Sequence, residues 1–458
     1  MEQKRVLITK DKTFYRSLFA LAAPIALQNL ITFAVTFADS LMVGTLGDAA
    51  ISGVYMGGQI QTLLQLLSGG VEGAILILAA QYWGKKDTAS MKKIIAVGTH
   101  FSLAVGCFLT AACALFPSLI LSVFTREEAV IREGSGYLSI VCFSYVFFTV
   151  TQALIAAARS VESARIGMAV SAVSLAVNIL LNYALIFGRL GLPAMGVRGA
   201  AVATLASRIT ETLVIAGYTF KTDQKLKLRP ADFMKSDALL RRDFIRCGLP
   251  IIGGQLIWGV NMMGNSMILG RFDQYVIAGA SVANSLNTLA YVAMNGMSAA
   301  VGIITGKTVG AWKTELMKEY ARTTQILFLG LGLLTGGMIF LLKGTFIGLY
   351  AGLAAETAAY ADQFCRVLSV TFIGTCYQAA CLFGLVKSGG DVAFVFKNDA
   401  VFVLLVVLPS AILASRLGAP AWVVFACLKC DQILKCAVAY VKINSFNWIK
   451  DLTRDRPG

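Results

Sequence analysis

The sequence predicts an all-α polytopic membrane protein, with twelve transmembrane helices in two six-helix lobes related by a parallel internal repeat. Three observations lead there. The 458 residues are 57% hydrophobic and only 14% charged, whereas a soluble protein carries about 25% charged residues, so this chain cannot cover a water-exposed surface. About a dozen apolar runs approach the ~20 residues that a helix needs to cross a roughly 30 Å hydrocarbon core, and in lipid the backbone must satisfy its own hydrogen bonds, as a helix does. Finally, the second half of the chain slides onto the first with its punctuation in register.

Runs bounded by charges or by Gly and Pro place the segments in order. Segments 1 and 2 cover 15–43 and 49–82, opened by Lys10, Lys12 and Arg16 and closed by Lys85 and Lys86. Segment 3, 92–116, begins at Lys92 and Lys93 and stops before Pro117. Segments 4 and 5, 129–158 and 163–188, are separated by Arg159, and segment 5 stops at Gly188-Arg189. Segment 6, 198–220, runs from Arg198 into the longest polar stretch, Lys221 to Arg246. Segments 7 and 8, 243–270 and 275–306, meet at Gly270-Arg271, and the basic stretch from Lys307 leads into segment 9, 320–342. Segments 10, 11 and 12 occupy 357–386, 396–414 and 419–441, punctuated by Lys387, Arg416 and Lys442.

Most of the 40 Lys and Arg fall on one side of this zigzag, from Lys4 and Arg5 ahead of segment 1 to Lys450, Arg454 and Arg456 in the tail. The other side holds only Arg126, Arg132, Arg189, Arg198, Arg271, Lys343, Arg366 and Arg416. Cytoplasmic loops carry the basic excess, so both termini and the central linker are expected in the cytoplasm, with the chain in the inner (cytoplasmic) membrane. The predicted division is an N-terminal segment 1–14, a first lobe 15–220, a linker 221–242, a second lobe 243–441 and a tail 442–458.

The net charge of +15 does not point to nucleic acid, because the bases lie in short stretches between apolar runs rather than on one face; the lipid bilayer is the expected partner. Of the ten cysteines most sit inside apolar runs, where free cysteine behaves as a small hydrophobe, so no disulfide framework follows. The lone Cys427-x-x-Cys430 lacks a second ligand pair for zinc, and no cofactor is expected. The first fifteen residues are polar and basic, and the apolar run after them is too long for a signal-peptide core and lacks a cleavage-site pattern, so no cleavable leader is expected. The single histidine, His100, stands alone in segment 3 without HExxH or a Ser/His pairing, so an intramembrane enzyme is not predicted.

At an offset of 226 residues, Pro24 pairs with Pro250, Ser40 with Ser266, Gly44 with Gly270, Gly53 with Gly279, Gly70 with Gly296 and Gly84 with Gly310. At 228, Arg159-Ser160 meets Lys387-Ser388. Six helices per repeat is an even number, so both copies enter the membrane from one side. Such repeats recur in secondary transporters, with a site near the midplane and one half rocking against the other.

An ionisable group at a helix centre costs about 2.5–3.5 kcal/mol on insertion scales, which makes each one a functional candidate. Asp39 lies fifteen residues beyond Pro24, about 22 Å along the axis, in the outer half of segment 1; the competing reading is a helix-end carboxylate wetted near Gly44-Thr45. Asn178 and Asn182 share a face at i, i+4, and Thr204 lies in segment 6. Together these are hard oxygen donors, suited to sodium or to a network holding a proton on Asp39, and equally to packing between helices. Glu72, in Gly-Gly-Val-Glu-Gly near the centre of segment 2, has three readings: attracting a cationic substrate, carrying a second proton, or pairing with an arginine such as Arg208. Arg208 and Glu211 at i, i+3, and Asp431 and Lys435 at i, i+4, have the spacing of intrahelical ion pairs. Trp258, Met262, Met263, Met267, Met294 and Met297 among amides suit either a promiscuous pocket or ordinary packing.

FADSLMVGTLGDAAISGV (37–54), AAQYWGKKD (79–87), NILLNYALIFGRLGLPAMGVRGAAVAT (178–204) and LPIIGGQLIWG (249–259) resemble the multidrug and toxic compound extrusion (MATE) transporters over nearly the whole chain. The 178–204 stretch is the most specific, through its Asn-x-x-x-Asn, Phe-Gly, Gly-x-Pro, Gly-Val-x-Gly-Ala-Ala and Ala-Thr spacing. The resemblance implies a two-lobe, V-shaped, monomeric antiporter that expels small organic, often cationic, drug-like compounds against protons or sodium. It puts the cation-coupling site on Asp39, Asn178, Asn182 and Thr204, and links the state of that site to bending of helix 1 at Pro24, whose ring removes one backbone hydrogen bond. Some relatives carry a second acid where Asn182 stands. Others use acids in helices 7 and 10, at positions near Trp258 and Cys376 here, so coupling is expected to rest on the first lobe. The alternative, a flippase for a lipid-linked precursor in the same wider superfamily, calls for several bases lining a cavity, whereas the in-helix bases here are few and mostly have acidic neighbours.

Overall fold

The computed structural model describes residues 8–123, 127–234, 237–350 and 354–454 of the chain, apart from the side chains at positions 48 and 49. Of the Lys and Arg residues that make up the charge asymmetry, Lys4, Arg5, Arg126, Lys235 and Arg456 lie outside the described residues. All twelve expected segments are helical, in an all-α polytopic membrane fold. The first half comprises α1 (Lys12–Gly44), α2 (Asp48–Gly84), α3 (Thr88–Leu115), α4 (Pro117–Ser122), α5 (Glu128–Val141), α6 (Ser144–Ser160), α7 (Arg165–Phe187) and α8 (Val197–Gly217). The second half comprises α9 (Ala238–Leu269), α10 (Gln274–Gly310), α11 (Thr314–Gly348), α12 (Ala355–Gln378), α13 (Val392–Val401), α14 (Leu408–Arg416), α15 (Ala421–Leu428) and α16 (Asp431–Asn444).

Local chemistry sets these ends. Asp87 caps α3 by accepting from the Ser90 amide at 3.1 Å, and Asp273 caps α10 by accepting from Val276 N at 2.9 Å, each satisfying an orphan donor. Gly188 closes α7 in the left-handed region (φ 66°), a conformation without penalty for glycine. Segment 4 is two helices, α5 and α6, bent by 50°. Segment 11 is likewise interrupted: a π-helical stretch, Phe402–Val407, precedes Pro409, whose ring cannot accommodate the carbonyl four residues back and so favours a wider turn.

Among the described residues nine helices are long and apolar enough to cross a membrane, or ten when α5 and α6 count as one span. The two remaining segments fall short for visible reasons. The apolar part of α9 carries Gln255, Asn261 and Asn265, and segment 12 is split into α15 and α16, of 8 and 14 residues.

The chain forms two compact units, one of residues 27–252 and the other of 1–26 with 253–458. The division between the two units therefore runs through α1 and α9 just beyond Pro24 and Pro250. Two glycines of the repeat explain the allegiance of the helix starts. A Cβ at Gly70 would lie 2.9 Å from the Ile252 Cα, and one at Gly296 would lie 2.8 Å from the Ala22 carbonyl oxygen. The first part of α9 thus packs backbone-close on α2 in one unit, and the first part of α1 packs on α10 in the other, in matching register. The core of the 27–252 unit gathers Leu64, Leu138, Tyr145 and Ala201, and that of the other unit centres on Phe364 stacked on Phe425, ring centroids 4.5 Å apart.

Candidate functional site

Within the 27–252 unit, α7 packs against α8, and α8 against α5 and α6. On α7 the i, i+4 spacing turns Asn178 and Asn182 the same way, and both are fully buried. The Asn182 amide nitrogen donates to Asp39 Oδ1 on α1 and to Asn178 Oδ1, the latter at 3.1 Å. Asn178 is the next polar neighbour of the same carboxylate. The three residues are therefore one cluster, with Asp39 half-buried against α7 rather than isolated at a helix end.

Thr204 on α8 reaches the cluster through Tyr137 of α5, with which it shares a side-chain hydrogen bond. Behind it stands Arg208. Its Nη1 donates to both Glu211 oxygens at 2.9 Å, its guanidinium lies 5.0 Å from the Phe148 ring centroid, and its charge also acts on Asp39. The intrahelical Arg208–Glu211 pair thus has the partner its spacing suggests. Tyr137 is absent from the sequence-based set; a single tyrosine in an amphipathic stretch gives no signal until α5 is seen beside α8.

Asn182 Oδ1 and Asn178 Nδ2 are buried without a hydrogen-bond partner among the described residues. An unpartnered buried acceptor beside a carboxylate calls for something that supplies positive charge or a proton. The Asp39 carboxylate, the amide oxygens of Asn178 and Asn182 and the Thr204 hydroxyl are hard oxygen donors, the type that small hard cations take.

Glu72 has a different place. Arg159 Nη1 on α6 donates to Glu72 Oε1 at 2.8 Å, and Arg159 Nη2 donates to Gln28 Oε1 at 2.9 Å. The basic partner of Glu72 is thus Arg159 and not Arg208, because α6 presents its end to the half of α2 that carries Glu72. Gln28 lies one turn beyond Pro24, so this triad grips α1 next to its missing hydrogen bond.

In the other unit, the register of the repeat puts Asn265 where Asp39 stands in the first half. Asn265 Oδ1 and Asn261 Oδ1 are both buried without partners among the described residues. Trp258 is about half exposed and Cys376 fully buried. Of the methionines, Met262, Met263 and Met267 are exposed and Met294 is buried, so they form no single face. Asp431 and Lys435 pair at 3.0 Å as their spacing suggests, and Asp399 of α13, which spacing along one helix does not reveal, meets the same ammonium at 2.9 Å.

Comparison with known proteins places this geometry in context. The MatE family profile matches residues 24–184 and 250–413. The chain is 26% identical over 427 residues to a probable multidrug resistance protein NorM of Halalkalibacterium halodurans, covering 91% of this chain and 90% of that protein. It is 25% identical over 345 residues to a protein of the same name from Listeria monocytogenes, covering 73% and 74%. Its fold superposes on a MOP superfamily transporter from Pyrococcus furiosus with a TM-score of 0.84 at 18% identity, covering 96% of this chain and 99% of that one. The Vibrio cholerae MATE transporter VcmN in its bent form gives 0.85 at 15% identity, covering 95% and 97%.

Proposed function

The chain belongs to the MATE family, membrane transport proteins rather than enzymes, and from that premise we propose a cation-coupled antiporter that exports small organic, often cationic, drug-like compounds by alternating access. In this reading twelve spanning helices bring both termini to the cytoplasmic face of the inner membrane, and a single chain is the working unit. Protons or sodium ions drive export through Asp39, Asn178, Asn182 and Thr204. The observation that carries the proposal is the shared Asn182 amide, which joins Asp39 to Asn178.

The chemistry follows from charge. An ionised Asp39 accepts a charge-assisted hydrogen bond from Asn182, roughly twice as strong as a neutral one. A proton arriving from outside, or a sodium ion, neutralises the carboxylate and weakens its claim on that donor. The tie between α1 and α7 then loosens. Pro24 leaves α1 one hydrogen bond short, so a change in that tie is absorbed by bending there. Substrate release is coupled to this change because the same ion that enters from outside alters the helix. The flippase reading has less support: Arg159, Arg208, Lys343 and Lys435 each salt-bridge a carboxylate and are not spare cations for a pyrophosphate.

The test is efflux of a fluorescent cationic dye from membrane vesicles under separately imposed proton and sodium gradients. Wild type is expected to respond to at least one gradient and Asp39→Asn to neither. Intact gradient-driven efflux in Asp39→Asn would sink the mechanism, and a dye distribution indifferent to expression of the wild type would favour a flippase.

A further inference from the structure

The 1–26 and 253–458 unit holds a second cluster of buried charge. Lys435 Nζ on α16 lies 2.9 Å from Asp399 Oδ1 of α13 and 3.0 Å from Asp431 Oδ2 of its own helix. The side chains are 6%, 13% and 3% exposed respectively. The depth can be gauged from Asp391, just ahead of α13, and Lys442, near the end of α16, which are salt-bridged at 2.8 Å. Lys435 is seven residues and Asp399 eight residues from that bridge along their helices, about 10–12 Å at 1.5 Å per residue. The cluster therefore lies two to three turns further along both helices than that bridge, within segments that the sequence reads as spanning, where ionisable groups are costly and mark ion pathways.

Its charges do not balance. One ammonium faces two carboxylates, so with both ionised the trio carries a net charge of −1, and like charges sharing a site disfavour that state. Among the described residues, no other neighbour corrects the count at contact distance. Lys387 acts on Asp399, and Lys429 on Asp431, only from further away; the Lys429 ammonium stands 5.8 Å from the Phe425 ring centroid. Tyr291 of α10, Cys430 and Cys436 face Asp431. The rest of the surroundings are neutral donors and acceptors: Gln432 Nε2 donates to Asp431 at 3.0 Å, while its oxygen accepts from Thr375 and Gln378.

We propose that Asp399, Asp431 and Lys435 form a second proton-carrying site, which holds one exchangeable proton between the two carboxyls and contributes it to the transport cycle. Uptake takes one proton from water and brings the trio from a net charge of −1 to zero; release returns that proton to water. The role in the cycle rests on the antiport reading above, whereas the proton itself does not.

The two are separable by experiment on the purified full-length protein. Infrared spectroscopy with hydrogen–deuterium exchange counts protonated carboxyls. In an Asp39→Asn background the trio is expected to give one such carboxyl. Asp399→Asn and Asp431→Asn are each expected to remove it, since either leaves a balanced pair with Lys435, and Lys435→Met is expected to raise the count to two. If Lys435→Met fails to fold, the two Asn variants, which retain an ion pair, decide the matter alone. A band absent from the Asp39→Asn protein, as would follow if Lys429 supplied the balancing charge, or one unmoved by either Asn variant, overturns the proposal. In proteoliposomes the proton-to-dye ratio, read from the gradient that just halts efflux, is expected to fall by one proton in Asp399→Asn while efflux persists. An unchanged ratio overturns the coupling role. Continued pumping by Asp39→Asn alone would defeat the first-site mechanism and leave the carboxyl count intact.

Discussion

Arg159 and Glu72 form a salt bridge of 2.8 Å between α6 and α2, with side chains only 12% and 23% exposed, and the other guanidinium nitrogen holds Gln28 of α1. A planar guanidinium spans two acceptors in fixed directions; a lysine, with a compact charge on a flexible stem, does not replace it. The pair thus makes Glu72 part of the scaffold around Pro24.

For this pair, Glu72→Gln is expected to destabilise the purified protein by about 3 kcal/mol, the scale for leaving one partner of a buried pair uncompensated, and Arg159→Lys to rescue it only in part. Both variants should slow export of all substrates alike, as read by efflux of a cationic and a neutral dye. A rise in KM confined to the cationic dye, with the melting temperature unchanged, would instead assign Glu72 to substrate binding.

The shared amide yields a second prediction. Asn182→Ala removes the donor to both Asp39 and Asn178, and a hydrogen bond to a charged group is worth about 1.5–3 kcal/mol, so gradient-driven efflux is expected to drop roughly 10- to 100-fold, at about tenfold per 1.4 kcal/mol. Asn182→Asp, which restores polarity with an acid, is expected to retain transport with an altered pH profile. Full activity in Asn182→Ala would show that the Asp39 contact is packing alone.

Pro24→Ala returns the missing donor to α1 and is expected to stabilise the helix, by up to about 3 kcal/mol on propensity grounds, while lowering dye turnover at saturating substrate. Melting and efflux are measured on the same preparation. An unchanged turnover would remove Pro24 from the conformational cycle.

Outside the spans, Asp391 is 8% exposed and salt-bridged at 2.8 Å to both Lys442 and Lys450. Burial pushes its proton affinity up, but the hydrogen bonds and charges of the two lysines outweigh it and hold the carboxyl below its ordinary value. Because the folded-state value lies below the unfolded one, the stabilisation is full above about pH 5 and is lost as pH falls below the unfolded value near 4. Wild type is expected to exceed Asp391→Asn by about 1–3 kcal/mol at pH 7, with the gap closing as pH falls below 4. A gap that is constant in pH would contradict this assignment.

Some relationships were legible along one helix. The spacings of Asn178 with Asn182, Arg208 with Glu211 and Asp431 with Lys435 suffice, because 3.6 residues per turn places i+3 and i+4 neighbours together whatever surrounds the helix. The all-α membrane class was readable for an equally local reason: a bilayer demands apolar runs of set length, and Gly and Pro mark their ends and close approaches. What a single strand of text does not contain is the rotation and height of one helix against another. Those choices make Arg159 the partner of Glu72, bring Tyr137 to Thr204 and add Asp399 to the Asp431–Lys435 pair. They also assign the starts of α1 and α9 to units opposite their own continuations, through backbone contacts at Gly296 and Gly70. Each of these depends on packing between residues tens to hundreds of positions apart, which burial and charge pairing select only once the helices have assembled.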